Sequence, residues 1–375
     1  MLTKTKIYLS SPHMGGLEQQ YVDEAFKTNW IAPLGPNVDG FEKDIQDYLG
    51  GNKYVAALSS GTASIHLALQ LLDVSQGDEV LCQSFTFSAS ANPIIYQGAT
   101  PVFIDSERET WNMSPDLLEI AIQDRIEKYK KPKAIIAVHL YGMPYKADEI
   151  NAVAKKYDIP VIEDSAEALG STYYGKACST LSDLGILSFN GNKIITTSGG
   201  GALISGSKSL KDRAVFLSTQ ARDNAPHYEH SSIGFNYRLS NVLAGIGRGQ
   251  MRVLDERVAA RRRNFEFYKK HLDRYNAISF LEEPQGVFCN RWITCINTES
   301  FEMREHIRLT LSEDDIETRP LWKPMHMQPV FKDHLHFTNG VSEQLFNTGL
   351  CLPSGSNLTD SDLERILENI KKSLA

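Results

Sequence analysis

Three short segments of the chain hold residue types whose spacing could do chemistry. The first, Ser59-Ser60-Gly61-Thr62-Ala63-Ser64, follows the strand-like run 54–58 and opens a helical pattern. The first N–H groups of a helix have no partner inside it and, with the helix dipole, attract an anion. Gly61 allows close backbone approach, and the Thr62 and Ser64 hydroxyls add donors. Taken alone, the segment reads more simply as an N-cap by Ser60 or Thr62. The second segment, Val161-Ile162-Glu163-Asp164-Ser165-Ala166-Glu167, gathers carboxylates where an apolar strand ends. In open α/β sheets that end faces the ligand crevice. A carboxylate there can bind a metal, act as a base or hold a protonated ring nitrogen, and the apolar flanks argue against acids merely solvated in a loop. The third segment, 188–201, carries a single lysine, Lys193, between two apolar strands and ahead of Thr196-Thr197-Ser198-Gly199-Gly200-Gly201. Such a lysine could be a nucleophile or a base; the plainer alternative is a lysine at a hairpin end. A phosphate cradle, a carboxylate for a ring nitrogen and a Schiff-base lysine are together what pyridoxal phosphate requires.

Other patterns carry less. Residues 170–176 have the G-x-x-x-x-G-K spacing of a P-loop, but Ala177 replaces the hydroxyl residue that would bind Mg²⁺ and two tyrosines fill the loop. Gly245-Ile246-Gly247-Arg248-Gly249 lacks the dinucleotide spacing and reads as close helix packing. His227 and His230 have no suitable acidic or thiol ligands nearby in sequence, and no metal site is expected. Arg261-Arg262-Arg263 reads as a solvated helix face.

Helices and a sheet must position these groups. Helical spacing runs over 39–49, 61–72, 88–97 and 146–157, and Ser114-Pro115 opens another helix with a cap and a proline at its first position. Apolar runs at 79–82, 101–104, 134–138, 160–162, 184–189 and 201–205 read as strands. Strands separated by helices indicate an α/β fold with a mainly parallel sheet covered on both faces. From about residue 240 to 275 the pattern is one long charged helix, followed by a smaller α+β unit. The expected division is a large domain over 1–250 and a small one over 251–375.

Composition limits the rest. The chain has 375 residues, 42% hydrophobic and 23% charged, with a net charge of −7. That suits a globular protein and argues against nucleic acid as a partner. No apolar stretch approaches the roughly 20 residues of a membrane span. Residues 1–9 lack the apolar core of a signal peptide, and five scattered cysteines without C-x-x-C suit a reducing compartment, so a cytoplasmic protein is expected.

Over nearly its whole length the chain resembles the sugar aminotransferases of the DegT/DnrJ/EryC1/StrS family, which have the type I (aspartate aminotransferase) fold. The resemblance rests on Ser11-Pro12-His13-Met14-Gly15-Gly16, Asn29-Trp30-Ile31-Ala32-Pro33-Leu34-Gly35, the Lys193 segment, Ser218-Thr219-Gln220-Ala221-Arg222 and residues 317–326. Within the family it most resembles the C4 aminotransferase branch of bacillosamine biosynthesis. The resemblance implies pyridoxal 5′-phosphate as cofactor, held covalently by Lys193. Asp164 would pair with the pyridine nitrogen, Phe87 would stack on the ring, and Thr62, Ser188 and the Ala63 backbone would hold the phosphate. Asn236 would reach the phosphate of a second copy, which implies a homodimer with shared sites. Glu167 stands where many members carry Gln or His near the cofactor's phenolic oxygen; repulsion between two anions there predicts a shared proton. The implied reaction moves an amino group from L-glutamate to C4 of a UDP-linked 4-keto-6-deoxy-N-acetylhexosamine, with GDP- and dTDP-linked keto sugars, or a non-catalytic cofactor-binding protein, as alternatives. Arg222, Arg238, Arg319 and Lys323 are candidates for the nucleotide diphosphate, and Trp30, Trp322 and His326 for the sugar or nucleotide.

Overall fold

A computed structural model describes residues 5–374. Its helices are α1 (Glu18–Lys27), α2 (Pro36–Tyr48), α3 (Gly61–Leu71), α4 (Asn92–Tyr96), α5 (Pro115–Lys128), α6 (Ala147–Lys156), α7 (Lys208–Ser218), α8 (Asn241–Met251), α9 (Leu254–Leu272), α10 (Phe301–Glu313), α11 (Val341–Thr348) and α12 (Asp360–Ser373). The strands are β1 (Tyr54–Leu58), β2 (Glu79–Gln83), β3 (Thr100–Ile104), β4 (Ala134–Val138), β5 (Val161–Asp164), β6 (Thr172–Tyr173), β7 (Lys176–Ala177), β8 (Leu184–Ser188), β9 (Gly201–Ser205), β10 (Ile278–Phe280), β11 (Val287–Phe288), β12 (Thr294–Thr298), β13 (Arg319–Pro320), β14 (His336–Phe337) and β15 (Gly349–Leu352).

Eight strands form one sheet in the order β1-β9-β8-β5-β4-β2-β3-β14. All neighbours in it pair in parallel except β9, which is antiparallel to both β1 and β8. Period-two alternation sends successive residues of each strand into different cores. Val80 and Ile136 join Ile65 and Leu67 of α3 in one core, while Leu81 and Ile135 join Leu118 and Ile150 in the other. A second, antiparallel sheet, β10-β12-β15-β13, packs Ile296, Leu350 and Leu352 against Phe265, Tyr268, Ile307 and Ile366. The C-terminal half also contributes β14 to the large sheet.

Two expected helices divide. Residues 240–275 form α8 and α9 with a break at Arg252-Val253, because the two helices bury different faces. α8 uses its glycines for close approach: a Cβ at Gly247 would lie 2.6 Å from the Phe41 ring, and one at Gly249 would lie 2.6 Å from the Glu18 backbone. α9 instead turns Arg257, Arg261 and Phe265 inward. The arginine run is a solvated face only at Arg263, which is exposed: Arg261 is 1% exposed, and Arg262 pairs with Glu283. Residues 88–97 divide into a 3₁₀ turn at Ser88–Ser90 and α4, since Pro93 has no N–H to continue a helix begun at 88. The G-x-x-x-x-G-K segment is the β6–β7 hairpin, turned by Tyr174 and Gly175 at positive φ.

Gly185 in β8 faces the backbone of Ser179, where a Cβ would come within 2.1 Å of a carbonyl oxygen. Gly185→Ala should therefore lower the denaturant midpoint by the equivalent of about 1–3 kcal/mol. Gly206→Ala, whose Cβ would meet only the Lys53 ammonium at 3.9 Å, should stay within about 0.5 kcal/mol of the parent.

Candidate active site

A cavity of about 840 Å³ opens at the C-terminal ends of the parallel strands. In an open sheet this is where loops diverge and leave a crevice. One end of it is lined by Ser60, Gly61 and Thr62 at the start of α3, with Ser188 at the end of β8. Two glycines let these pieces close together. A Cβ at Gly61 would lie 3.0 Å from the Ser188 Cβ, and one at Gly201 would lie 2.3 Å from the Ser60 carbonyl carbon. Ser60 does cap α3: its hydroxyl accepts the Ala63 N–H at 3.0 Å. That bond occupies the backbone donor of Ala63, while the N-terminal turn still faces the cavity through Gly61 and Thr62.

Asp164, the last residue of β5 and 4% exposed, lines the same cavity. Its Oδ2 accepts the Ser90 hydroxyl at 2.7 Å and its Oδ1 accepts the Ala166 N–H at 3.1 Å. Ser90 is itself bonded to the Thr86 hydroxyl at 2.8 Å. The hydroxyl chain fixes the carboxylate without neutralising it.

Lys193 enters from the loop between β8 and β9. Its Nζ lies 3.3 Å from Glu167 Oε1 and 4.3 Å from the centre of the Trp292 ring. Glu167 Oε2 accepts the Tyr141 N–H at 2.7 Å. Burial raises the Glu167 pKa to about 7; the Lys193 charge and the Tyr141 N–H pull it down, and the Asp164 charge adds to the rise. Burial thus outweighs the ion pair, and near neutral pH the carboxyl is poised between its two forms. Tyr141 reaches its position through a left-handed backbone, φ 55°, which a tyrosine adopts only at some cost. Its hydroxyl accepts the Trp322 N–H at 2.9 Å.

Aromatic rings form the upper wall. Trp322 lies 5.5 Å from Phe87 and 5.1 Å from Tyr141, centre to centre. Arg319 and Lys323 border the same cavity; Arg319 is exposed and paired with Glu317 at 2.9 Å.

The cavity thus gathers Thr62, Phe87, Asp164, Glu167, Ser188, Lys193, Arg319, Trp322 and Lys323. Two expected substrate residues are committed elsewhere. Arg238 is partly buried, paired with Glu42, and donates to the Ala57 carbonyl, so it braces β1. His326 is 7% exposed, bonded to the Ser84 hydroxyl at 2.6 Å and stacked on His336. Trp30, Arg222 and Asn236 lie outside the cavity wall, on exposed surface. Sequence reasoning missed Thr86, Ser90, Tyr141 and Trp292. Only the position of Tyr141 just beyond a strand end could have flagged one of them.

The donor set fits pyridoxal phosphate: a helix N-terminus with two hydroxyls for the phosphate, a buried carboxylate for the ring nitrogen, an amine for the aldehyde and Phe87 for the ring face. The model of the DegT/DnrJ/EryC1/StrS aminotransferase family matches residues 12–371, and the chain belongs to that family. It is 53% identical to the putative pyridoxal phosphate-dependent aminotransferase EpsN of Bacillus subtilis (strain 168), over 97% of this chain and 94% of that one. It is 37% identical to the GDP-perosamine synthase of Escherichia coli O157:H7, over 96% of each. Among solved structures, the putative sugar aminotransferase Spr1654 of Streptococcus pneumoniae in its PLP form superposes with a TM-score of 0.90 at 26% identity, over 98% of each chain. The fold is thus that of the pyridoxal phosphate-dependent sugar aminotransferases, with the mainly parallel central sheet read from the sequence.

Because the folded state binds the Glu167 proton more tightly than the unfolded chain does, its contribution to stability is complete below the ordinary carboxyl value of 4.5 and is lost as pH rises through about 7. In cofactor-free protein, Glu167→Gln should remove about 3 kcal/mol of pH dependence from that window, measured as denaturant midpoints between pH 4.5 and 8. Parallel profiles for the variant and the parent would contradict this reading.

Proposed function

We propose that this member of the family is a nucleotide-sugar aminotransferase that delivers the amino group of L-glutamate to C4 of a UDP-linked 4-keto-6-deoxy-N-acetylhexosamine. The observation that carries the reading is the Lys193–Glu167 pair facing Asp164 in one cavity, with the α3 N-terminus at its end. Pyridoxal phosphate is the cofactor, and when bound it supplies the electron sink that makes the donor's α-proton acidic.

The protein's own groups do the rest. Thr62, Ser188 and the first turn of α3 hold the phosphate, with the Ala63 N–H available only if it leaves Ser60. Asp164, oriented by Ser90 and Ala166, keeps a proton on the ring nitrogen. Glu167 holds a proton near the phenolic oxygen. Lys193 Nζ takes the proton from the donor's α-carbon and later delivers one to sugar C4. Arg319 and Lys323 bind the diphosphate, the arginine by a two-pronged contact. Trp322 provides a flat apolar face for the sugar.

A second copy of the chain completes the site, bringing Asn236, Arg222 and Trp30 towards it. The exposed apolar side chains of Phe26, Trp30, Ile31, Tyr228 and Ile233 support such an interface. The separate antiparallel sheet supports a small domain after residue 250. The GDP-perosamine synthase relative favours a second substrate reading, a GDP-linked keto sugar on the same machinery.

Purified protein should carry a visible absorbance band from lysine-bound cofactor, and L-glutamate should bleach it. Lys193→Ala should lose that band while still binding cofactor. Protein that takes up no pyridoxal phosphate would refute the reading. UDP-, GDP- and dTDP-linked 4-keto-6-deoxy sugars, added to the amine-charged enzyme, should restore the band fastest for UDP; a faster GDP-sugar would select the alternative.

A further inference from the structure

Arg261 is the largest side chain buried beyond 98%. Among the described residues no carboxylate pairs with it. Burial, with a smaller push from Arg257, lowers its pKa to about 9, so it stays a cation at neutral pH. Its bonds go to the Trp292 carbonyl at 2.5 Å, the Ser10 hydroxyl at 3.0 Å and the Ser354 carbonyl at 3.3 Å. A buried charge paired only with neutral dipoles is an expensive way to pin a fold.

The two nearer partners share a target. The Ser10 hydroxyl donates to the Asn192 carbonyl at 2.8 Å, and the Trp292 indole N–H donates to the same oxygen at 2.7 Å. Asn192 immediately precedes Lys193, and the Trp292 ring lies 4.3 Å beneath the Lys193 ammonium. One guanidinium therefore holds both donors that fix the peptide before the lysine, and also the ring on which the lysine rests.

We propose that Arg261 is a positioning residue for Lys193, acting through Ser10 and Trp292 on the Asn192 carbonyl. The proposal rests on the reading of Lys193 as the group that captures the cofactor. A rigid fork with diverging N–H groups can hold two partners at once, which a lysine ammonium on a flexible stem does poorly. The N-terminal segment, through Ser10, thereby becomes part of the apparatus that aims the lysine.

The test uses full-length protein stripped of cofactor and then mixed with pyridoxal phosphate, comparing the parent, Arg261→Lys, Ser10→Ala and the double variant. Arg261→Lys should slow growth of the visible band about tenfold, as expected for a misaimed nucleophile, and should shift the pH midpoint of that band. Ser10→Ala should act in the same direction with a smaller effect, and the double variant should be no slower than Arg261→Lys alone. If both single variants lower only the melting temperature, with capture rate and pH midpoint as in the parent, Arg261 is a structural pin and the proposal fails. Should Arg261→Lys not fold, Ser10→Ala decides by itself, and an unchanged capture rate overturns the proposal. A visible band that survives in Lys193→Ala would instead overturn the reading of the lysine.

Discussion

Three ionisable groups, Asp164, Glu167 and Lys193, share a cavity in which little water reaches them. A charge taken out of water costs several kcal/mol unless bonds replace its hydration. The loops around the cavity can be understood as the suppliers of those bonds. The 84–90 loop brings the Ser90 hydroxyl to Asp164, and the turn after β5 returns the Ala166 N–H to the same carboxylate. The left-handed Tyr141 aims its N–H at Glu167. None of these donors can take the charge away, so the groups are fixed and remain reactive.

The end of β5 has to be held just as firmly, and the strand's alternation does this from its other face. Glu163, next to Asp164, is wholly buried and accepts the N–H groups of Ser179, Leu181 and Ser182. It also meets His139 Nε2 at 2.7 Å. Because His139 Nδ1 accepts the Tyr145 N–H, the ring proton sits on Nε2 and points at the carboxylate. Two adjacent acids on one strand thus have separate duties, one clamping a loop beneath the sheet and the other facing the cavity.

The sheet and its helices were legible because short apolar runs and capped helices are local signals. Ser114 and Pro115 open α5 as expected, and the strands fall where the apolar runs lie. The lysine and the two acids were legible because residue type at a strand end is also local. The fate of the arginines was not. Arg261 and Arg238 look in sequence like any helix-surface or phosphate-binding arginine, and only packing against distant segments decides that one braces β1 while the other lies under Ser10 and Trp292. Ser90 and Trp292 escaped notice for the same reason: a serine among serines and a lone tryptophan gain meaning only from what lies across the cavity.

A chain with a net charge of −7 is an unlikely host for a phosphorylated cofactor and a nucleotide diphosphate if only the total is considered. Screening removes that objection. At physiological salt a charge is felt over about 8 Å, so an anion in the cavity responds to the groups that line it more than to acids spread over the surface. At one end it meets the start of α3, where unpaired N–H groups and the helix dipole act together. At the rim it meets Lys323 and Arg319. Arg319 is held by Glu317, whose own carboxylate is anchored by the Leu9 N–H, so the guanidinium is kept at the mouth without being buried. An incoming diphosphate would compete with Glu317 for it in partly wet surroundings, where an exposed ion pair is worth less than about 1 kcal/mol and gives way easily. Whether an anion binds here is therefore decided by the groups that line the cavity and not by the total charge of the chain.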